Sequence, residues 1–346
     1  MPNRTIGGWL PPIADRPRIA FARISAAPPY PSVCDNTTGL SFGMDFNDEW
    51  GDCVPAGWEH VRMVIRALLG EAHADALEAE ILALYRTQNP QFDPNGDPST
   101  TGPGSPADGG MVVQLLLEYL VKHGQILAFA AVDFTNDAEV DAAIHAGGAL
   151  VGAAVLTERN VTHDTDVKLW DADPSGQQVG GHCFGVGGYS TITGRRRIIT
   201  WGEVLDATTA FVHQAFQELW WVLLPEQATA GGGINGVNEA ALAAEYTAIT
   251  GKPFPVTPPA PPVPVPPAPV PGPPAPVPPA PVPPTPDPSG GASFPGSTPA
   301  VDAYLARRAA RRSMSSVAAY ELWYWERMAG LPTSERAAFA RREALD

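Results

Sequence analysis

Asn47-Asp48-Glu49-Trp50-Gly51-Asp52-Cys53 runs straight into Val54-Pro55-Ala56-Gly57-Trp58. An amide side chain stands six residues before a cysteine, and a glycine stands two before it. The apolar positions Val54, Trp58, Val61, Ile65 and Leu68 then follow at the period of a helix with one buried face. Asp52 suits the N-cap, Pro55 is tolerated in a first turn, and Gly70 supplies a stop. A thiol at that helix start sits among unpaired backbone N–H groups and the positive end of the helix dipole, which favour the thiolate. Asp52 opposes this, because a neighbouring carboxylate raises a thiol pKa.

Working outward, residues 1–46 are rich in proline and turn formers and read as an extended arm over a domain. Leu77, Ile81 and Leu84 mark one face of a second helix, and Asn89 to Gly110 is loop. Within that loop Asp93, Asn95 and Asp97 have part of a calcium-loop pattern, spoiled by interleaved prolines and a missing distal glutamate. No metal or other cofactor is expected. Met111 to His123 is helical, Ile126 to Val132 a strand, Asn136 to Glu139 a near-miss capping box opening a short helix to His145, and Ala149 to Leu156 a buried strand. A polar loop spans Asn160 and Asp173. Cys183 to Tyr189 and Arg197 to Trp201 form an antiparallel pair, Thr208 to Leu219 reads as helix, Trp220 to Leu224 as strand, and Asn238 to Thr250 as a last helix. Helices first and a mostly antiparallel sheet second make an α+β layout over residues 47–251.

From Pro253 to Pro288 the chain carries 21 of its 39 prolines. The linker, residues 252–297, is expected to be a polyproline II spacer, on the order of 110 Å at about 3.1 Å per residue over the repeats. Residues 298–346 read as a helical tail, where Tyr320, Leu322, Trp323, Tyr324 and Trp325 are too many large apolar groups to leave in water. The tail is expected to dock on a protein partner or to self-associate.

The formal net charge of −15 over 346 residues argues against nonspecific nucleic-acid binding. No run of about 18 apolar residues suggests a membrane span, and the start shows no secretory signal. On these grounds the expected location is cytoplasmic. Cys34, Cys53 and Cys183 are too few for a disulfide framework, although a Cys34–Cys53 bridge would silence the thiol.

A cysteine nucleophile needs a base, an orienting group and donors for an oxyanion. The best base is His182, which enters the glycine-rich strand Gly180-Gly181-His182-Cys183-Phe184-Gly185-Val186-Gly187-Gly188-Tyr189. Its bland reading is a satisfied core histidine. His60, His73, His123, His145, His163 and His213 have weaker settings, in helices or a polar loop.

Taken together, these motifs resemble the papain-like cysteine peptidases. Asn47 and Gly51 before Cys53 are similar to that family's approach to its nucleophile. Asp108-Gly109-Gly110 resembles its substrate wall. Gly181-His182 to Gly188-Tyr189 resembles its histidine strand, and Thr200-Trp201-Gly202 the second half of its Asn-Ser-Trp-Gly. The 129 residues between Cys53 and His182 fit the papain-like spacing and exceed that of the compact peptidoglycan-cleaving relatives. The wording Gly-Asp-Cys, Gly-Gly-His and Thr-Trp-Gly is similar to a papain-like group of bacteria and their phages. The resemblance covers roughly residues 40–250. It implies a papain-like fold with Cys53 as nucleophile and His182 as general base. Asn47 would be the oxyanion donor beside the Cys53 N–H, Gly109 and Gly110 would hold the substrate backbone, and Trp201 would shield the base. Ile199 stands where the family has its orienting asparagine, so Thr200 or a group from elsewhere must orient the ring. Asn47 is one methylene shorter than the usual glutamine. Two functions are thus expected to compete. One is a thiol hydrolase of peptide or isopeptide bonds, with a peptide or protein substrate. The other is a catalytically weak or inactive fold kept as a structural or binding module, for which the resemblance to a phage group implies a virion-associated location as the alternative to a cytoplasmic one.

Overall fold

The computed structural model describes residues 6–26, 29–71, 76–162, 168–229 and 236–255. The chain divides into two units, residues 1–258 and 259–346, and every described residue belongs to the first. His73, His163, nearly all of the proline-rich linker and the aromatic tail lie outside the described residues.

The helix expected at the cysteine runs Cys53–Leu68. Val54, Trp58, Val61 and Ile65 are buried along it, while Leu68 is exposed. Asp52 occupies the N-cap, but its side chain makes no capping hydrogen bond. Gly70 takes φ +73°, the left-handed conformation that ends helices. The Glu78–Tyr85 and Val113–Lys122 helices complete this helical half. Leu77 lies at the N-cap of the former and points to solvent, leaving Ile81 and Leu84 to bury.

Among the described residues nine strands form one sheet: β1 (Ile19–Ala20), β2 (Val33–Asp35), β3 (Ala128–Ala131), β4 (Leu150–Thr157), β5 (Leu169–Trp170), β6 (Gln178–Ser190), β7 (Arg195–Thr200), β8 (Glu203–Thr208) and β9 (Phe216–Leu223). Their order is β1-β3-β9-β4-β6-β7-β8-β5, with β2 also paired to β6. Only the β1–β3 and β5–β8 pairs are parallel. The fold is α+β, as the order of motifs implied, with the helical half packed on a mostly antiparallel sheet.

Strand alternation sorts the core onto the two faces of the sheet. Val151, Ala153, Cys183, Ile199, Trp220 and Val222 meet the Cys53–Leu68 helix. Leu150, Ala154, Phe184, Val186, Ile198, Leu219 and Trp221 face the opposite side, against Val140 and Ile144 of the Asp137–Gly147 helix. Helix and strand approach closely at Gly57, where an added Cβ would lie 3.1 Å from the backbone of Phe184. Only glycine fits that contact without displacing backbone.

The helix expected over Thr208–Leu219 is shorter than its sequence suggested. It spans Thr209–Ala215, and the chain turns extended at Phe216 to begin β9. The run from Leu219 to Leu223 buries side chains on both faces between β3 and β4. Period alone does not separate such a run from helix, and tertiary pairing decides it. The polar loop contains the short β5, whose Trp170 is buried. The N-terminal segment is more than an extended arm, since Ile19–Ala20 and Val33–Asp35 add strands to the sheet.

Candidate active site

Cys53 opens its helix, and only 1 % of it is exposed. Its thiol is not poised as a thiolate in this state. Burial pushes its pKa up, the Cys183 N–H within reach pulls it down, and the adjacent Asp52 raises it again. The helix-start benefit is therefore outweighed by desolvation. Asp52 itself is fully buried, and burial holds its carboxyl well above the usual carboxylate range. The Asn47 side-chain amide donates to Asp52 Oδ1 at 3.2 Å. Asn47 is thus placed beside the helix start with one of its N–H groups engaged by the neighbouring carboxyl.

His182 lies on β6 next to Cys183, whose side chain faces the Cys53 helix. The His182 ring packs instead against Trp201 and Phe184. Its plane stacks on the Trp201 indole with centroids 4.2 Å apart and 16° between planes. The Phe184 ring stands 6.1 Å away. Thr200 Oγ1 lies 2.6 Å from His182 Nε2. Both partners come from the β7–β8 hairpin, because Thr200 pairs with Glu203 and leaves a two-residue turn of Trp201 and Gly202. These turn residues have φ +47° and +70°, both positive, as a tight hairpin turn requires. A tryptophan in the left-handed region is strained, and here the strain sets its indole over the histidine. Regular β4–β6 pairing becomes irregular at Leu156 and Thr157, opposite Gly180 and Gln178, just before His182.

The Gly109–Gly110 wall is tied to the helix start by a network that the motifs did not reveal. Asp108 Oδ1 accepts from the Gly51 N–H at 2.9 Å and from the Tyr85 hydroxyl at 2.5 Å. Tyr85 Oη accepts from the Gly110 N–H. Asn89 receives the Gly109 N–H and donates to the Gly110 carbonyl. One buried amide and one carboxylate thereby fix the wall relative to residue 51. Only the position of Asp108 beside Gly109 hinted at this.

The arm runs through the space between these parts. Gly7 N–H donates to the Gly181 carbonyl at 3.0 Å, Met111 N–H to Gly8 O at 2.8 Å, and Leu10 N–H to Met111 O at 2.8 Å. Each contact is made by a residue adjacent to Gly110 or His182. Trp9 is 6 % exposed, and its Nε1 donates to Glu218 Oε1. The arm thus pairs with backbone beside Gly110 and His182, and Trp9 belongs to the same core cluster as Cys53.

All three cysteines are free thiols, so no Cys34–Cys53 bridge forms. Burial raises the Cys34 thiol to about 12. Among the described residues no group of three or more His, Cys, Asp or Glu side chains is placed to hold a metal ion. Asp93 and Asp97 accept backbone N–H groups two residues on, as turn residues do. No helix among the described residues is long and apolar enough to cross a membrane.

No family model matches the sequence, and no curated protein matches it. Solved structures similar to this chain are papain-like cysteine proteases. Among them are xylellain, a cysteine protease from Xylella fastidiosa, and the digestive procathepsins L 3 and L2 of the Tenebrio molitor larval midgut. Xylellain is 14 % identical, with a TM-score of 0.44, covering 65 % of this chain and 98 % of its own. Procathepsin L 3 is 10 % identical, with a TM-score of 0.41 over 64 % of this chain and 76 % of its own. Procathepsin L2 gives 10 %, 0.36, 63 % and 74 % in the same terms. At these values the likeness concerns the course of the chain and assigns no residue a role.

Proposed function

We propose that this protein is a papain-like thiol hydrolase that cleaves peptide or isopeptide bonds by acyl transfer through Cys53. The observation that carries the reading is the setting of His182. Its ring is clamped between the Thr200 hydroxyl and the Trp201 indole, one strand position from the residue whose N–H reaches the Cys53 thiol. A core histidine needs a hydrogen-bond partner, but it does not need a strained tryptophan stacked on its face.

In this mechanism the Nε2–H donates to Thr200 Oγ1, which fixes the tautomer and leaves Nδ1 to take the thiol proton. The Cys53 sulfur attacks the substrate carbonyl carbon. The oxyanion is met by the Cys53 backbone N–H and by the Asn47 N–H that Asp52 does not hold. Collapse breaks the C–N bond, and the amine leaves with the proton from His182. Water, deprotonated by the same ring, then releases the acid and restores the thiol. Gly109 and Gly110 hold the substrate backbone, and Trp201 keeps water off the base. This chemistry requires the arm to leave the cleft.

The second reading, a papain-like fold kept as a structural or binding module such as one associated with a phage virion, is favoured by the raised Cys53 thiol and by Asn47 being spent partly on Asp52. The proline-rich linker and the tail would then present the domain to a partner. Hydrolysis of a peptide library by the full chain, with Cys53→Ala as control, tests the choice. Cleavage that the substitution abolishes supports the hydrolase. Absence of cleavage once the arm has been displaced supports the module.

A further inference from the structure

We propose that the cleft bounded by Gly51, Gly110 and Gly181 is a peptide-strand site selective for glycine followed by tryptophan, with residues 6–10 as its resident ligand. This rests on reading the same cleft as the substrate cleft, and it adds the class of peptide that fits.

Three features define the site. The first is a ladder made by the main chain alone, from Gly7 N–H to Gly181 O and across Gly8 and Leu10 to Met111. Any extended peptide can make such bonds, whether it belongs to this chain or another. The second is a steric filter at position 8. A Cβ on Gly8 would stand 2.3 Å from Gly51 O and 3.0 Å from Gly51 Cα, both backbone atoms that the Asp108 network holds in place. The opposite wall is as close, since a Cβ on Gly110 would lie 2.7 Å from Gly8 O. Ligand and walls are thus glycine on both sides because their backbones touch.

The third feature is the pocket for Trp9. Its indole lies over Gly181, where a Cβ would come within 2.2 Å of Cε3. At its base is Glu218, itself 4 % exposed, with Oε1 receiving Trp9 Nε1–H and Oε2 receiving Trp220 Nε1–H at 2.7 Å. A buried carboxylate that loses a donor is costly, so an occupant must bring an N–H as well as a flat apolar body. Tryptophan does both and phenylalanine only one. Leu10 is 38 % exposed and Gly7 faces solvent, so selectivity resides in the pair at positions 8 and 9.

The test uses full-length protein carrying Gly8→Val, whose own arm no longer fits, and a fluorescein-labelled peptide Ile-Gly-Gly-Trp-Leu matching residues 6–10. Fluorescence anisotropy should show binding to the variant at least tenfold tighter than to the wild type, whose arm competes. Replacing the second glycine of the peptide by alanine, or its tryptophan by alanine or phenylalanine, should weaken binding tenfold or more. Should Gly8→Val not fold, Trp9→Ala, which adds no atoms, is measured in the same way. Failure of the variant to bind the peptide at millimolar concentration, or equal binding of all the peptides, would overturn the proposal. The readout is binding, so a protein that takes up the peptide but cleaves nothing refutes the hydrolase alone. One that cleaves peptides without this preference refutes the selectivity alone.

Discussion

Removing the Trp9 side chain should uncover Cys53. Trp9 is nearly buried and hydrogen-bonded to Glu218, and it anchors a strand whose other holds on the cleft are a few main-chain bonds. Truncating a buried tryptophan to alanine typically costs about 3–5 kcal/mol. Here that cost falls on the seating of the arm, because Trp9 packs against the cleft rather than within its own element. At about 1.4 kcal/mol per decade, the population with the arm out should rise roughly 100- to 4,000-fold, up to the point where the arm is mostly released. Alkylation of Cys53 by iodoacetamide, followed by peptide mass mapping, reads that population directly, since the thiol is otherwise sealed. In the wild type Cys53 should react slowly despite its place at a helix start. In Trp9→Ala its rate should climb by at least two decades, while Cys34, on β2 away from the cleft, serves as the internal reference. If the Cys53 rate moves no more than that of Cys34, the arm is not what buries the thiol and the account of the cleft is wrong.

Three further outcomes follow from the same geometry. Thr200→Val keeps the shape of the side chain but removes the hydroxyl at His182 Nε2. It should lower any peptide-cleaving rate by roughly 10- to 100-fold, through loss of about 1.5–3 kcal/mol of hydrogen bonding to a ring that becomes charged, and it should shift the pH–rate profile. Seating of the arm should weaken as pH rises. Burial, the largest cause, holds the Glu218 carboxyl above its ordinary value although the Trp9 and Trp220 N–H groups, with Arg18 more weakly, lower it. The seated state therefore binds a proton more readily than a released state in which Glu218 meets water, so raising the pH through the seated-state value favours release. The Trp9 ring resonances should shift or broaden as the pH climbs past that value, and resonances unchanged from the carboxylate range to neutrality would contradict this. Gly57→Ala should destabilise the fold by about 1–3 kcal/mol, measured by thermal unfolding. Alanine ordinarily gains about 1 kcal/mol over glycine inside a helix, but here its Cβ would press on the Phe184 backbone. A raised melting temperature would show that the contact relaxes freely.

Much of the scaffold was legible because its signals are local. The Cys53 helix announced itself by a 3.6-residue apolar period with a proline in its first turn. The histidine strand was marked by alternation and glycine, and several helix ends by glycine at positive φ. The parts that escaped are those fixed by contacts distant in sequence. Residues 216–219 carry a helix-compatible pattern and become strand only because β3 and β4 lie on either side. Glu218 was hidden inside that misread stretch. Ile6-Gly7-Gly8-Trp9-Leu10 has no period at all, and its meaning comes from residues 51, 111, 181 and 218. The thiol shows the same limit. Helix position argued for an acidified Cys53, whereas its burial in the folded domain, which no local pattern encodes, reverses the direction.

The central claim is that Cys53 and His182 work as a pair once the cleft is open. The most direct measurement is the pH dependence of Cys53 alkylation in full-length Gly8→Val, with and without His182→Ala. A thiolate–imidazolium pair predicts a rate that persists well below the ordinary thiol range and collapses to a single simple thiol titration when the imidazole is removed. A profile that already follows an ordinary thiol, and that His182→Ala leaves unchanged, would contradict it.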